Sequence, residues 1–287
     1  MAYLYIISSS HSIVALKALL DNNFDFKKII IKDTPATNCK SLAIVEITQQ
    51  KLRKIKAKLE LHQLDYIFSL SPLKLPELVV FDMDSTLIPI EVIDELANYA
   101  NKKQEVSLIT ELAMQGELDF NQSLRQRVKH LAGLPQSVIQ DLAAKLEFNP
   151  GVKEFCQYLT SQKCQLAIAS GGFTPFAESL KQQVEFSYIR ANRLQIDDKE
   201  LTGEVEGTII NAQEKAKAIN EWRSELNLTS EQTMAIGDGA NDLLMLQAAG
   251  IGIAYDAKPA VNQSASSVLK YSSMAVLIDL FEFTRSL

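Results

Sequence analysis

The chain has 287 residues, 47% hydrophobic and 22% charged, the balance of a globular protein with material for one large or two modest cores. Its 29 basic and 35 acidic residues leave a net charge of −6, and no run of Lys or Arg exceeds a pair. Nucleic acid and anionic membrane are therefore not expected as partners. Cys39, Cys156 and Cys164 show no CxxC spacing, so neither a disulfide framework nor a zinc site is indicated and a reducing cytoplasm fits.

Residues 3–8, YLYIIS, read as a strand, and HSIVALKALLDN after them carries helical apolar spacing. The segment lacks a basic leader and breaks at Ser8–His11, so it is not expected to be a signal peptide. FDFKKIIIKD and CKSLAIVEIT read as strands, KLRKIKAKLELHQL as a helix and DYIFSLS as a strand. The order βαββαβ is that of a ferredoxin-like α+β unit. We expect it to form a first domain over residues 1–71, ending in the Pro-bearing link SPLKLPE at 71–77.

Residues 78–287 form the expected second domain. Strands at 78–81, 165–169, 233–236 and 250–254 alternate with helical segments, and a long helical stretch spans about 90–148. Residues 187–206 read as a β-hairpin turning at Asp197–Lys199. Such α/β alternation predicts a doubly wound parallel sheet whose ligands bind beyond the carboxyl ends of the strands. No apolar run approaches the roughly 20 residues needed to span a membrane.

Three strands end in unusual residues. VVF runs into Asp82 and Asp84, LAIA into Ser170–Gly171–Gly172, and MAI into Gly237–Asp238–Gly239–Ala240–Asn241–Asp242. Turn chemistry alone explains any one of these clusters, but in a parallel sheet all three converge on one crevice. Asp82 and Asp84, at i and i+2, leave an extended segment on the same side, so one can attack while the other exchanges a proton. So many carboxylates repel each other and any phosphate. That requires a hard cation with oxygen ligands, Mg²⁺ being the natural choice, and the chemistry indicated is phosphoryl transfer through an aspartate.

DMDST, SGGF, a lysine in NAQEKAKA and GDGAND match in order the four motifs of the haloacid dehalogenase superfamily of aspartyl-phosphate hydrolases, a resemblance that covers residues 78–254. DSTLIPIEVIDELA, FNQSLRQRV and SGGF further resemble the phosphoserine phosphatase family within it. The resemblance implies roles. Asp82 is the nucleophile and a metal ligand; Asp84 is the acid and base, touching the metal through its backbone carbonyl; Asp238 completes the protein's share of the Mg²⁺ shell, with Asp242 behind it. Ser170, Gly171, Gly172 and Asn241 hold the phosphate, and Lys215 neutralises charge, with Lys217 as the neighbouring alternative.

In that family the helical insertion is a cap. Glu91 and Arg127 resemble the groups that hold the ammonium and carboxylate of phosphoserine, while Met114 and Phe120 are candidates for the pocket wall or for plain core packing. Residues 1–71 resemble the small domains, often of the amino-acid-binding ACT type, that precede the catalytic part in bacterial relatives. A homodimer and an amino-acid effector at that unit are both left open. The chain shows no GxxxxGK[ST], HExxH or GxSxG motif. The alternative reading is a phosphotransferase that passes the phosphoryl group to an alcohol such as homoserine, or another small-molecule phosphatase of the same superfamily.

Overall fold

The computed structural model describes residues 2–24, 26, 29–32 and 38–286. Its first layer contains β1 (Ala2–Ser8), α1 (Ile13–Asn23), β2 (Ile29–Lys32), β3 (Ser41–Ile47), α2 (Gln49–Leu61) and β4 (Asp65–Ser69). The beginning of the FDFKKIIIKD strand lies partly outside the described residues. Ser12 and Thr48 start the two helices by accepting hydrogen bonds from the backbone of Ala15 and Lys51. Leu16 and Leu20 of α1 and Leu52 and Leu59 of α2 are buried in one apolar cluster with Leu4, Ile6, Val45 and Phe68. The four strands pair antiparallel in the order β2-β3-β1-β4.

After the link come β5 (Leu78–Phe81), α3 (Val92–Tyr99), α4 (Lys103–Met114), α5 (Phe120–Lys129), α6 (Gln136–Ala143), α7 (Val152–Ser161), β6 (Gln165–Phe173) and α8 (Thr174–Lys181). They are followed by β7 (Tyr188–Asp197), β8 (Glu200–Glu206), α9 (Ala212–Glu225), β9 (Thr233–Gly237), α10 (Leu243–Ala248), β10 (Ile251–Tyr255), α11 (Pro259–Ser264), β11 (Ser267–Leu269) and α12 (Val276–Arg285). Strands β11-β10-β9-β5-β6-β7 lie side by side and parallel. Every residue of β5 is buried between β6 and β9, which is why this strand reads as a continuous apolar run with no alternation.

Three features refine the expectations. The long helical stretch is four separate helices, α3 to α6. The hairpin is present, with Asp198 and Lys199 both in the left-handed region at φ 44° and 67°, the geometry of a two-residue turn that suits strand twist. But β7 also pairs parallel with β6 through Tyr188–Arg190, so the hairpin extends the main sheet. It also supports the cap: Gly133 N donates to Leu201 O and Gln136 N to Lys199 O, each at 2.8 Å.

The third feature is a seam. Strand β4 pairs antiparallel with β11 through Tyr66 and Val268, so the two layers share one sheet of 11 strands. Two buried acids close the joint. Asp65 Oδ1 accepts from Lys270 N at 2.6 Å and Tyr271 N at 2.9 Å. Asp279 accepts from Asn38 N and Cys39 N, both at 3.0 Å, and from Asn38 Nδ2 at 3.1 Å. Among the described residues no helix is long and apolar enough to cross a membrane.

Candidate active site

The carboxyl ends of β5, β6 and β9 open into a cleft of about 830 Å³ under the cap. Asp82, Asp84, Glu91, Arg127, Ser170, Gly171, Gly172, Asp238 and Asn241 all line it, and Lys215 and Asp242 are fully buried beneath its floor. The residues singled out in sequence are thus brought together.

Strand β5 sets Asp82 in place, its backbone N donating to Ile236 O of β9 at 2.9 Å. Asp82 Oδ1 accepts from Met83 N at 2.7 Å and meets Lys215 Nζ at 2.8 Å. The chain then turns sharply. Ser85 takes φ 57°, a left-handed conformation that is uncommon away from glycine and marks a constrained site. In this turn Ser85 Oγ donates to Glu91 Oε1 at 2.7 Å, and Thr86 Oγ1 donates to Asp238 Oδ1 at 2.8 Å.

Lys215 sits near the start of α9, a helix begun by Asn211, whose side chain accepts from Glu214 N. Its ammonium lies 2.6 Å from Asp242 Oδ1 as well as 2.8 Å from Asp82. Burial works against this charge, and Asp242 and Asp82 more than reverse it, so the ammonium is held protonated. Lys217 is exposed and faces Glu214 and Glu221 instead. Asp242 Oδ2 accepts from Gly239 N at 2.8 Å, so both its oxygens are engaged by this chain.

The SGGF loop is shaped for close approach. Ser170 Oγ accepts from Gly172 N at 2.9 Å. A Cβ on Gly172 would lie 2.6 Å from Met83 Cε and 2.7 Å from Asp84 Oδ2, and one on Gly171 would lie 2.8 Å from Phe120 Cζ of the cap. Any side chain here would push out the acid or the cap. Asn192 of β7 fixes the loop from behind, donating to Gly171 O at 2.8 Å and accepting from Ile210 N at 2.9 Å.

Electrostatic strain concentrates at the acids. Burial, then the Glu91 and Asp82 charges, hold the Asp84 carboxyl well above the usual carboxylate range. Burial with Asp82 and Asp242 pushes Asp238 up to about 8. Asp84 Oδ1 and Arg127 Nε are both buried without a hydrogen-bond partner among the described residues. Unmet polar atoms of this kind cost free energy and are expected where something else supplies the partner. Asp82, Asp238 and Asp242 each bring a carboxylate oxygen within 4.8 Å of the others, a grouping that fits a metal ion.

Several working residues give little signal in the sequence. Thr86 lies in the DMDST motif, but its bond to Asp238 spans 152 positions. Asn192 reads as an ordinary hairpin residue. Met114 and Phe120, for which plain core packing was an equal expectation, both face the cleft.

A parallel sheet carrying an aspartate pair on its central strand, a lysine-anchored acid group and a glycine loop beneath a helical cap defines a phosphoryl-transfer hydrolase. The chain belongs to the haloacid dehalogenase-like hydrolases, whose family model matches residues 76–250. A probable phosphoserine phosphatase of Schizosaccharomyces pombe is 50% identical over 200 residues, covering 69% of this chain and 67% of that protein. The chain spans about two thirds of the length of such curated relatives. A probable phosphoserine phosphatase structure from Vibrio cholerae superposes with TM-score 0.78 and 30% identity over 99% of this chain and 88% of that one, a span that includes the N-terminal layer. A substrate-bound phosphoserine phosphatase complex superposes with TM-score 0.67 and 34% identity over 72% of this chain and 99% of that chain.

Proposed function

We propose that the protein is a Mg²⁺-dependent phosphoserine phosphatase that hydrolyses O-phospho-L-serine to L-serine and phosphate through a phosphoryl group carried on Asp82, closing a serine-producing route. The single observation that carries this reading is the cleft itself. It holds one anchored carboxylate, Asp82, beside Asp84, whose proton burial and the neighbouring acids favour, and facing them across the cap stand an acid, Glu91, and a buried donor without a partner among the described residues, Arg127 Nε.

Asp82 Oδ1 is held by Lys215 and Met83 N, which leaves Oδ2 to attack phosphorus. As that bond forms, the bond from phosphorus to the serine oxygen breaks, and the leaving oxygen takes the proton that Asp84 holds. Asp84, now a carboxylate, takes a proton from water; the hydroxide oxygen bonds to phosphorus, and Asp82 is released with phosphate. General acid-base help of this kind is worth about 10²–10⁴-fold. Ser170, the Gly171 amide and Asn241 suit the phosphate oxygens, whereas the Gly172 N–H, expected to do the same, is directed at Ser170 Oγ. Glu91 suits the ammonium, and the planar fork of Arg127 suits the carboxylate.

The donor set fits Mg²⁺, with Asp82, Asp238 and the Asp84 main-chain carbonyl as its ligands and Asp242 behind them. An Asp238 carboxyl raised to about 8 by burial and neighbouring acids is one that a cation would restore to its charged form. When bound, the ion would neutralise phosphate and carboxylate charge.

We read the N-terminal layer as a ferredoxin-like, ACT-type unit over residues 1–71 attached to a catalytic domain over 78–287. Its support is the βαββαβ order and the antiparallel arrangement β2-β3-β1-β4.

A substrate panel with Mg²⁺ tests the function. Phosphate release from O-phospho-L-serine should exceed that from phosphothreonine, phosphoethanolamine and sugar phosphates by about ten- to hundredfold, the ratio expected when a buried charged group loses its partner. EDTA should stop the reaction. Flat rates across the panel would refute the substrate; a homoserine phosphate ester formed in place of free phosphate would establish transfer.

A further inference from the structure

The exposed acids lining the cleft are Glu91 and Asp119, while Asp82, Asp84 and Asp238 lie deeper, where a bound cation would meet their charge; the cationic side chains of the lining are Arg127 and Lys258. Lys215 is sealed below, bonded to Asp82 and Asp242. Arg127 belongs to the cap. An anionic ester entering from solvent meets repulsion first unless a cation stands at the rim.

Lys258 occupies that rim. It immediately precedes α11, and the body of that helix is fixed. Val261 is buried in the same apolar cluster as Leu4, Leu52 and Phe68 of the N-terminal layer. Lys56 Nζ of α2 donates to Gln263 O at 2.8 Å and also to Ala265 O. From this anchored base the Lys258 side chain stays exposed and crosses to the cap, where its Nζ lies 3.8 Å from Met114 Sδ at the end of α4. Among the described residues the ammonium thus meets a thioether and no carboxylate. A thioether is a weak acceptor, readily exchanged for a phosphate or carboxylate oxygen.

We propose that Lys258 is a substrate-capture residue. Its ammonium pairs with an anionic group of the entering phosphate ester at the boundary of core and cap, and so sets how tightly substrate is gathered rather than how fast it reacts. This rests on the cleft being a site for small phosphate esters, as proposed above. It gives the N-terminal layer a mechanical part in the active site, since α2 and the shared core hold the segment from which Lys258 reaches.

Lys258→Ala, Lys258→Arg and Lys258→Glu in the full chain with Mg²⁺ test it, using O-phospho-L-serine and p-nitrophenyl phosphate. Lys258→Ala should lower kcat/KM about fivefold at low salt, as an exposed ion pair allows, through KM, with kcat within about twofold. Lys258→Glu should lose more and Lys258→Arg should recover most of the loss. At about 1 M salt, where charges are screened beyond about 3 Å, the deficit should shrink. An unchanged kcat/KM, a fall confined to kcat or a loss independent of salt would overturn the proposal. If the wild type ignores phosphoserine yet cleaves the aryl ester, the substrate reading fails and the Lys258 comparison is made on the aryl ester.

Discussion

Buried aspartates occur in two regions of this protein, and their surroundings differ. At the seam Asp279 receives three N–H donors from Asn38 and Cys39, and Asp65 receives two from Lys270 and Tyr271. Each acid joins two stretches of backbone. In the cleft Asp82, Asp238 and Asp242 crowd within 4.8 Å; Asp65 Oδ2 at the seam and Asp84 Oδ1 in the cleft both lack a hydrogen-bond partner among the described residues, so it is the mutual crowding that sets the cleft acids apart. A carboxylate met by backbone donors is a fastener. Acids that face one another are tolerable only with a cation and a reaction to serve.

The largest effect should come from Asp82→Asn, which leaves the fold intact and takes turnover to background, because an amide neither attacks phosphorus nor matches the carboxylate charge. Substantial turnover in the pure variant would place the nucleophile elsewhere. Asp84→Asn should lose about 10²–10⁴-fold in kcat by removing the proton carrier.

Lys215→Met probes the same contrast from the energetic side. It leaves Asp82 and Asp242 without their shared cation, a change that costs about 3–5 kcal/mol for a broken buried pair. In EDTA the variant should unfold at markedly lower urea than wild type, and Mg²⁺ should narrow the gap. Equal midpoints in EDTA would show that Lys215 does not hold the acids together.

At the seam the consequences should be structural only. Asp279→Ala strands the N–H groups of Asn38 and Cys39, at about 1–3 kcal/mol for each buried donor left unmet. Urea midpoints should fall while kcat of the folded enzyme stays at the wild-type value. A loss of kcat without a loss of stability would break the division between fastener and reactive acid.

The smallest effect concerns pH. Burial raises the Asp65 carboxyl above its ordinary 3.8, opposed by the Lys270 and Tyr271 amides. The folded state therefore binds a proton more tightly than the unfolded chain. Asp65 contributes stability that is fully present below the unfolded value and is lost as pH rises through the folded one. The substitution Asp65→Asn removes this dependence. Urea denaturation of both proteins with Mg²⁺ present should show wild type losing stability relative to the variant as pH rises above about 4. A constant difference would mean that Asp65 does not titrate differently in the two states.

Much of the cleft was legible because its residues sit at strand ends, where local pattern and function coincide. An apolar run of four residues announces β5, and Asp82 and Asp84 follow directly. Ser170–Gly172 and Asp238–Asp242 are legible in the same way, and the βαββαβ order of the first layer follows from periodicity. What escapes depends on pairing across long separations. The three-residue SVL of β11 is too short to show any period, so its pairing with β4 and the continuous sheet stay hidden. The bond from Thr86 to Asp238, the Asn192 brace and the reach of Lys258 to Met114 link segments whose proximity only the folded topology creates.

Passage of the phosphoryl group through Asp82 is tested most directly by a rapid acid quench of enzyme turning over ³²P-labelled O-phospho-L-serine with Mg²⁺, followed by peptide mapping. Label should appear on the peptide containing Asp82, held as an acyl phosphate that hydroxylamine removes. Label on Ser85, Thr86 or Ser170, or phosphate released with no labelled protein at any quench time, would contradict a covalent role for Asp82.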